Sequence, residues 1–203
     1  MRALLVPLKS FHQAKARLAE SLDDAARVSL VRRLASRVLA AAGDLPIFVV
    51  CDDGDVADWS IRRGALALYA PGLGLNGAVT AGIEFLGALG FDLVVVAHAD
   101  LPFVEGLDRF GSEGAVTIAP DRREDGTNVI AIPSDASFRF AYGPGSFERH
   151  LGEAERLRLP TTIVRDDKFA TDIDVPADLA ELEASVLDRP ETATTRRWSD
   201  NGA

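Results

Sequence analysis

The stretch Asp92-Leu-Val-Val-Val-Ala-His-Ala-Asp-Leu-Pro102 constrains the fold more than any other part of the chain. A short, β-branched, continuously apolar run reads as a strand buried on both faces, the kind found in parallel sheets. Leu101-Pro102 then stops the strand, because proline cannot donate to the ladder and disfavours helical geometry in the residue before it. In open α/β sheets ligands bind beyond the carboxyl ends of the strands, so Asp100 is a carboxylate delivered to the functional edge. A second acidic pair, Asp172-Ile-Asp174, ends the same way in Val175-Pro176. Two such deliveries point to a divalent metal and a phosphate-bearing substrate; the plainer alternative is two solvated acidic turns.

A chain of 203 residues fits one domain with a sizeable core. Its net charge of −9 argues against a broad nucleic-acid or anionic-membrane surface. A phosphorylated substrate then needs a local cationic pocket, for which Lys9, Lys15 and Arg17 are the sources. No apolar run approaches the ~18 residues of a membrane span. The first apolar run, soon followed by Lys9 and His12, is too short for a signal peptide. A cytoplasmic enzyme is expected. Cys51, the single cysteine, closes the apolar run Ile47-Phe-Val-Val-Cys51 and reads as a small buried hydrophobe rather than a reactive thiol.

The periodicity predicts strands over residues 2–8, 47–51, 65–69 and 93–97, separated by helices over 25–42, 56–63 and 76–89. Strand and helix alternating three times implies parallel pairing in a layered α/β sheet. In the second half, short strands over 115–119 and 129–132 flank the polar loop Asp121-Arg-Arg-Glu-Asp-Gly126. A helix over 146–156, a strand over 161–165 and a last helix over 177–187 follow. The hairpin-like connections predict a mixed sheet edge. From residue 188 onward the chain is polar and aperiodic, and a disordered tail is expected beyond a single domain of residues 1–187.

Four groups of residues can carry chemistry. Lys9, Lys15 and Arg17 follow the first strand, where cations can meet the charge that develops on a leaving pyrophosphate; the alternative is a solvated basic turn. No Walker pattern is present. Ala70-Pro-Gly-Leu-Gly-Leu-Asn-Gly-Ala-Val79 is a glycine-rich loop opening a helix, suited to close approach of a planar ligand and to negative groups. Within it Gly74 and Asn76 are candidate nucleotide contacts, and Asn76 serves equally well as a helix cap. Asp125-Gly-Thr-Asn128 and Tyr142-Gly-Pro-Gly-Ser-Phe147 combine hydroxyls from Thr127 and Ser146 with free backbone N–H groups at glycine, a nest for phosphate or carboxylate. Ser146 also reads simply as a helix cap. His98 and His150 lack metal-ligand spacing and read as structural or exposed, and there is no coherent Ser-His-Asp set.

Taken in order, Val6-Pro-Leu-Lys9 with Lys15 and Arg17, Gly74-Leu-Asn76, Ala99-Asp-Leu-Pro102, Asp125-Gly-Thr-Asn128, Tyr142-Gly-Pro-Gly-Ser146 and Asp172-Ile-Asp174 resemble the guanylyltransferases of deazaflavin coenzyme (coenzyme F-420) biosynthesis. The resemblance implies a single-domain nucleotidyltransferase fold related to glycosyltransferase-A, with a mostly parallel, mixed-edge sheet in three layers. It implies a reaction of GTP with a small phosphorylated acid that releases pyrophosphate. Phosphoenolpyruvate is the expected acceptor, with 2-phospho-L-lactate and 3-phosphoglycerate as alternatives. Carried over by motif, Asp100, Asp172 and Asp174 hold magnesium, while Thr127, Gly143 and Ser146 bind the acceptor. Lys9, Lys15, Arg17, Gly74 and Asn76 bind the nucleotide, with Lys9, Lys15 and Asp100 also catalytic. The loop over residues 72–76 is expected to border the base. A homodimer and a hand-off of product to the next enzyme of the pathway are left open. The rival readings are another nucleotidyltransferase, a metal-dependent glycosyltransferase using Asp172-Ile-Asp174, and a nucleotide-binding protein without catalysis.

Overall fold

The computed structural model describes residues 1–174 and 177–179. Seven strands make one sheet: β1 (Arg2–Pro7), β2 (Ile47–Cys51), β3 (Leu66–Tyr69), β4 (Leu93–Ala97), β5 (Val116–Pro120), β6 (Thr127–Pro133) and β7 (Thr161–Ile163). Their order is β3-β2-β1-β4-β6-β5-β7. β1 runs parallel to β2 and β4, β2 to β3, and β5 to β7, while β6 is antiparallel to both β4 and β5. The mixed part lies in the second half, as the hairpin-like connections imply. Its antiparallel strand is interior, because β5 and β7 add beyond β6 and make the rim parallel again.

Among the described residues, and apart from the helical residues 177–179, five helices pack on the sheet: α1 (Asp24–Ala40), α2 (Gly54–Arg62), α3 (Gly74–Ala88), α4 (Ser146–Arg156) and α5 (Asp167–Ala170). Asp23 caps α1 and Asp53 caps α2, each carboxylate accepting from the backbone N–H three residues on, at 2.7 and 3.1 Å. Such a bond satisfies one of the donors a helix start leaves open.

The period-2 alternation of the central strands sorts the core into two layers. Leu4, Val6 and Val95 meet α1 and α2 through Val31, Val38, Val56 and Trp59. Leu5, Val94 and Val96 meet α3 and α4 through Val79, Ile83, Leu86 and Phe147. All five residues of β4 are at most 1% exposed, so this apolar run is buried on both faces. α3 lies so close on β1 that a Cβ at Gly82 would stand 2.7 Å from Leu5 Cδ2. The two rims are β3 and β7; on β3, Leu66 and Tyr69 are 61% and 63% exposed.

β2, β4 and α4 occupy the residues the sequence predicts. α3 begins two residues earlier than residue 76, and the strand over 161–165 shortens to Thr161–Ile163. The four-residue α5 and the single 3-10 turns Ala16–Leu18 and Leu107–Arg109 are too short to carry a periodic signal. The helix expected over 177–187 is described only at residues 177–179, which are helical. Its remainder and the tail from 188 lie outside the described residues. Among the described residues no helix is long and apolar enough to cross a membrane.

Candidate active site

Three segments converge beyond the carboxyl ends of β1, β2 and β4. The first, residues 8–18, is pinned by two buried side chains. Phe11 packs edge-on against Trp59 with ring centroids 5.4 Å apart, and Leu18 enters a small cluster with Leu34 and Ile173. Between these anchors Lys15 has a left-handed backbone, φ 56°. Its ammonium donates to Asp100 Oδ2 and, at 2.5 Å, to Asp174 Oδ1.

The second segment is the end of β4 with Asp100. The third, Thr171–Asp174, is placed from a distance: Asn128 Nδ2 on β6 donates to the carbonyls of Phe169 and Ala170 at 3.0 and 3.1 Å. Ile173, fully buried, fixes the middle of Asp172-Ile-Asp174 in the core. One carboxylate oxygen each from Asp100, Asp172 and Asp174 then lies within 4.8 Å of the other two.

The electrostatics follow from this crowding. Burial works against the Lys15 ammonium, yet Asp100 and Asp174 more than offset it and raise its pKa above the ordinary lysine value. Burial also works against the Asp100 anion, but Lys15 and His98 outweigh it and hold that carboxyl below the usual carboxylate range. At Asp172 burial, then Asp100 and Asp174, outweigh the pull of Lys15 and push the carboxyl up to about 7. Three carboxylates around one ammonium leave negative charge uncompensated. Asp100 Oδ1 is moreover buried without a hydrogen-bond partner. Hard oxygen donors, an orphaned carboxylate oxygen and this shortage of positive charge fit a magnesium ion.

Beside the cluster opens a cleft of about 470 Å³. Lys9, Lys15, Arg17, Gly74, Asp100 and Asp174 line it, together with apolar groups such as Leu8, Val50 and Leu75. Four of the five nucleotide residues expected from the sequence therefore share one space. Asn76 does not line it. It is not a helix cap either, since α3 starts at Gly74 without a side-chain cap. Its Oδ1 instead accepts from the backbone N–H of Tyr142 at 2.7 Å, tying α3 to the loop before α4.

Thr127, Gly143 and Ser146 also come together, in a different manner. Ser146 Oγ accepts from the Thr127 backbone N–H at 3.0 Å, and Asp125 Oδ1 accepts from the Gly145 N–H at 3.0 Å. The two motifs of the second half thus brace each other. Ser146 is the first helical residue rather than the cap, a place taken by Gly145 with φ 72°. Gly143 has φ 111°, a conformation open to glycine and strained for other residues. Thr127 Oγ1 lies 3.0 Å from His150 Nδ1, while His150 Nε2 accepts from the Ala141 N–H at 3.0 Å. In a neutral imidazole one nitrogen is the acceptor and the other carries the hydrogen, so Nδ1 donates to Thr127. Burial, helped by Arg149, keeps His150 neutral by lowering its pKa to about 4. Cys51 is buried as expected, and its thiol is pushed up chiefly by burial.

The sequence reading sets aside His98, which the structure places in the cleft wall with its ring 5.0 Å from that of Tyr142. Burial lowers its pKa, against the pull of nearby Asp100. Its place two residues before Asp100, on the face opposite the apolar Ala97, is the signal that marks it. Asn128 and Asp125 act through long-range hydrogen bonds for which no sequence signal exists.

Residues 1–189 match the family described as guanylyl transferase CofC like. The chain belongs to that family. It is 36% identical over 187 residues to a protein of Sphaerobacter thermophilus named phosphoenolpyruvate guanylyltransferase, covering 88% of this chain and 90% of that one. It is 30% identical over 188 residues to a Methanothermobacter thermautotrophicus protein named 2-phospho-L-lactate guanylyltransferase, covering 88% and 82%. Both names are those of nucleotidyltransferases, and the chain is an enzyme of that class. A solved structure described as a nucleotide-diphospho-sugar transferase, from Desulfovibrio desulfuricans G20, superposes with a TM-score of 0.73 at 17% identity, covering 94% of this chain and 91% of that one. A 4-diphosphocytidyl-2C-methyl-D-erythritol synthase gives 0.61 at 11% identity, covering 90% and 96%. These two likenesses establish the nucleotidyltransferase-type α/β fold of this family member.

Proposed function

We propose that the chain is a cytoplasmic guanylyltransferase of coenzyme F-420 biosynthesis. It joins GTP to phosphoenolpyruvate, giving enolpyruvoyl-2-diphospho-5'-guanosine and pyrophosphate. The observation that carries this reading is the Lys15–Asp100–Asp174 contact beside Asp172, set at the mouth of a cleft that also holds Lys9 and Arg17. A phosphate oxygen of the acceptor attacks the α-phosphorus of GTP. One P–O bond forms, the bond to the β-phosphate oxygen breaks, and its electron pair leaves on pyrophosphate. The attacking oxygen is already deprotonated near neutral pH, so no general base is needed.

What the reaction asks of the protein is positioning and charge. Lys9, Lys15 and Arg17 face the charge of the leaving pyrophosphate. Asp100, Asp172 and Asp174 would hold magnesium, which when bound would supply charge neutralisation between the two anions. Gly74, at the start of α3, lets the nucleotide approach the helix N-terminus. On the acceptor side the hydroxyls of Thr127 and Ser146 are both engaged as acceptors, from His150 and from a backbone N–H. Each keeps its own hydrogen to donate to an anion, beside the Gly143 backbone.

Pyrophosphate release from GTP and magnesium, with phosphoenolpyruvate, 2-phospho-L-lactate or 3-phosphoglycerate offered separately at equal concentration, tests the reading. Phosphoenolpyruvate is expected to be used and the others spared. A preference for another acid overturns the acceptor assignment, and equal rates with ATP overturn the guanine assignment.

A further inference from the structure

His98 closes β4 and stands where the two ends of the site meet. Its backbone N–H donates to the Asn128 carbonyl at 3.0 Å, next to Thr127 on β6. Its ring rests on that of Tyr142, the residue that leads into Gly143. The same ring lines the cleft that holds Lys15 and Asp100. His98 Nε2 is nevertheless buried and has no hydrogen-bond partner. Buried polar atoms are paired in the great majority of cases, and an unpaired one costs free energy that asks for an explanation.

The neighbouring groups do not provide one. The Lys15 ammonium donates to Asp100 and Asp174, makes no hydrogen bond to His98 Nε2, and has no acceptor capacity for an N–H there. Asp100 Oδ1, itself unpartnered, is not bonded to His98. The two orphaned atoms have complementary needs: Asp100 Oδ1 lacks a cation or a donor, and an N–H at His98 Nε2 lacks an oxygen acceptor. A metal-bound phosphorylated acid brings both to one place. The nucleotide's own cations, Lys9 and Arg17, come from the loop after β1, whereas His98 lies on the β6 side of that strand.

We infer that His98 is a binding residue for the acceptor acid, its Nε2–H donating to an acceptor oxygen at the seam between the nucleotide cleft and the loop that carries Gly143. This rests on the guanylyltransferase reading. The test compares His98→Phe, which keeps a ring on Tyr142 but no donor, with His98→Gln, whose amide restores an N–H near the Nε2 position. Pyrophosphate release is followed while phosphoenolpyruvate and GTP are varied in turn. In His98→Phe the KM for phosphoenolpyruvate is expected to rise at least about tenfold, the scale of a buried hydrogen bond to a charged group. The KM for GTP is expected to change less than about twofold, and His98→Gln to recover most of the loss. Should His98→Phe not fold, His98→Ala takes its place in the same comparison. An unchanged phosphoenolpyruvate KM, an equal rise in both KM values, or a Gln variant no better than Phe each overturns the inference. A wild-type protein that releases no pyrophosphate with any of the acids overturns the guanylyltransferase reading first, and the inference with it.

Discussion

On the β1 side of Asp100 two cationic side chains, Lys9 and Arg17, stand in open space while Lys15 turns to the carboxylates, whereas on the β6 side the polar groups are turned on one another. Lys9 and Arg17 are exposed in the cleft, and the apolar wall behind them asks nothing of their charges. Thr127 and Ser146 are 2% and 1% exposed, and each already accepts a hydrogen bond from the protein. The difference teaches that two substrate ends need not be built alike. On the proposed reading, the triphosphate would be met by the exposed cations, and the small acid by hydroxyls and a glycine backbone that Asp125, Asn76 and His150 hold in place. Substitutions on the open side should change binding with little change in stability, and those on the closed side should change both.

The largest effect is expected where the two sides join. Asp100→Asn keeps the shape but removes charge from the Lys15 contact and the metal set. Turnover should fall ~100-fold or more, on the scale of lost electrostatic stabilisation in active sites. Thermal melting run beside pyrophosphate release separates this from unfolding. Near-normal turnover would take Asp100 out of the chemistry and dissolve the comparison at its centre.

The closed side should also be sensitive to acid. His150 has a pKa of about 4 in the folded chain against an ordinary 6.5. The unfolded chain therefore binds the proton first as pH falls. Stability from this group is complete above about 6.5 and is lost as the pH drops toward 4, by as much as about 3 kcal/mol. Urea unfolding at pH 7 and at pH 5 measures it, and His150→Gln should flatten the difference. An equal slope in that variant would assign the acid sensitivity elsewhere.

The smallest effects give the sharpest contrast. Ser146→Ala leaves the buried Thr127 N–H without its acceptor and should cost about 1–3 kcal/mol of stability, with a higher KM for the acceptor than for GTP relative to wild type. Lys9→Ala should raise the GTP KM a few-fold, as expected for an exposed charge, and leave the melting temperature unchanged. If Ser146→Ala melts normally and Lys9→Ala does not, the open and closed descriptions are exchanged.

Much of this was legible in the chain because periodic burial writes itself into residue order. β4 announces its two buried faces by five consecutive apolar residues, and α4 by its spacing of Phe147, His150 and Ala154. The cation loop and Asp100 are recoverable from their places after β1 and β4; Asp172 and Asp174, expected at a strand end, instead follow the short helix α5. What escaped depends on partners distant in sequence. Asn76 carries the same local signal whether it caps a helix or holds a backbone N–H 66 residues away. Ser146 likewise looks like a cap until Thr127 is seen beside it. His98 was discounted because an isolated histidine has no metal-ligand spacing; its place just after β4 and two residues before Asp100 hints at the site, but only three-dimensional packing shows that its nitrogen lacks a partner.

The β3 rim carries a consequence for how molecules of this enzyme behave toward each other. From Gly64 to Ile83 no residue is charged, and within that span β3 is, among the described residues, an edge strand flanked by exposed Leu66 and Tyr69. Proteins commonly guard such an edge with lysine, proline or a bulge. Here the repulsion available between copies is collective, from the net charge of −9 carried outside that span. That repulsion vanishes near pH 4.8, the isoelectric point. Close to that pH the sheet of one molecule is free to continue into the sheet of the next, so colloidal stability, as well as folding stability, sets the acid limit of a concentrated solution.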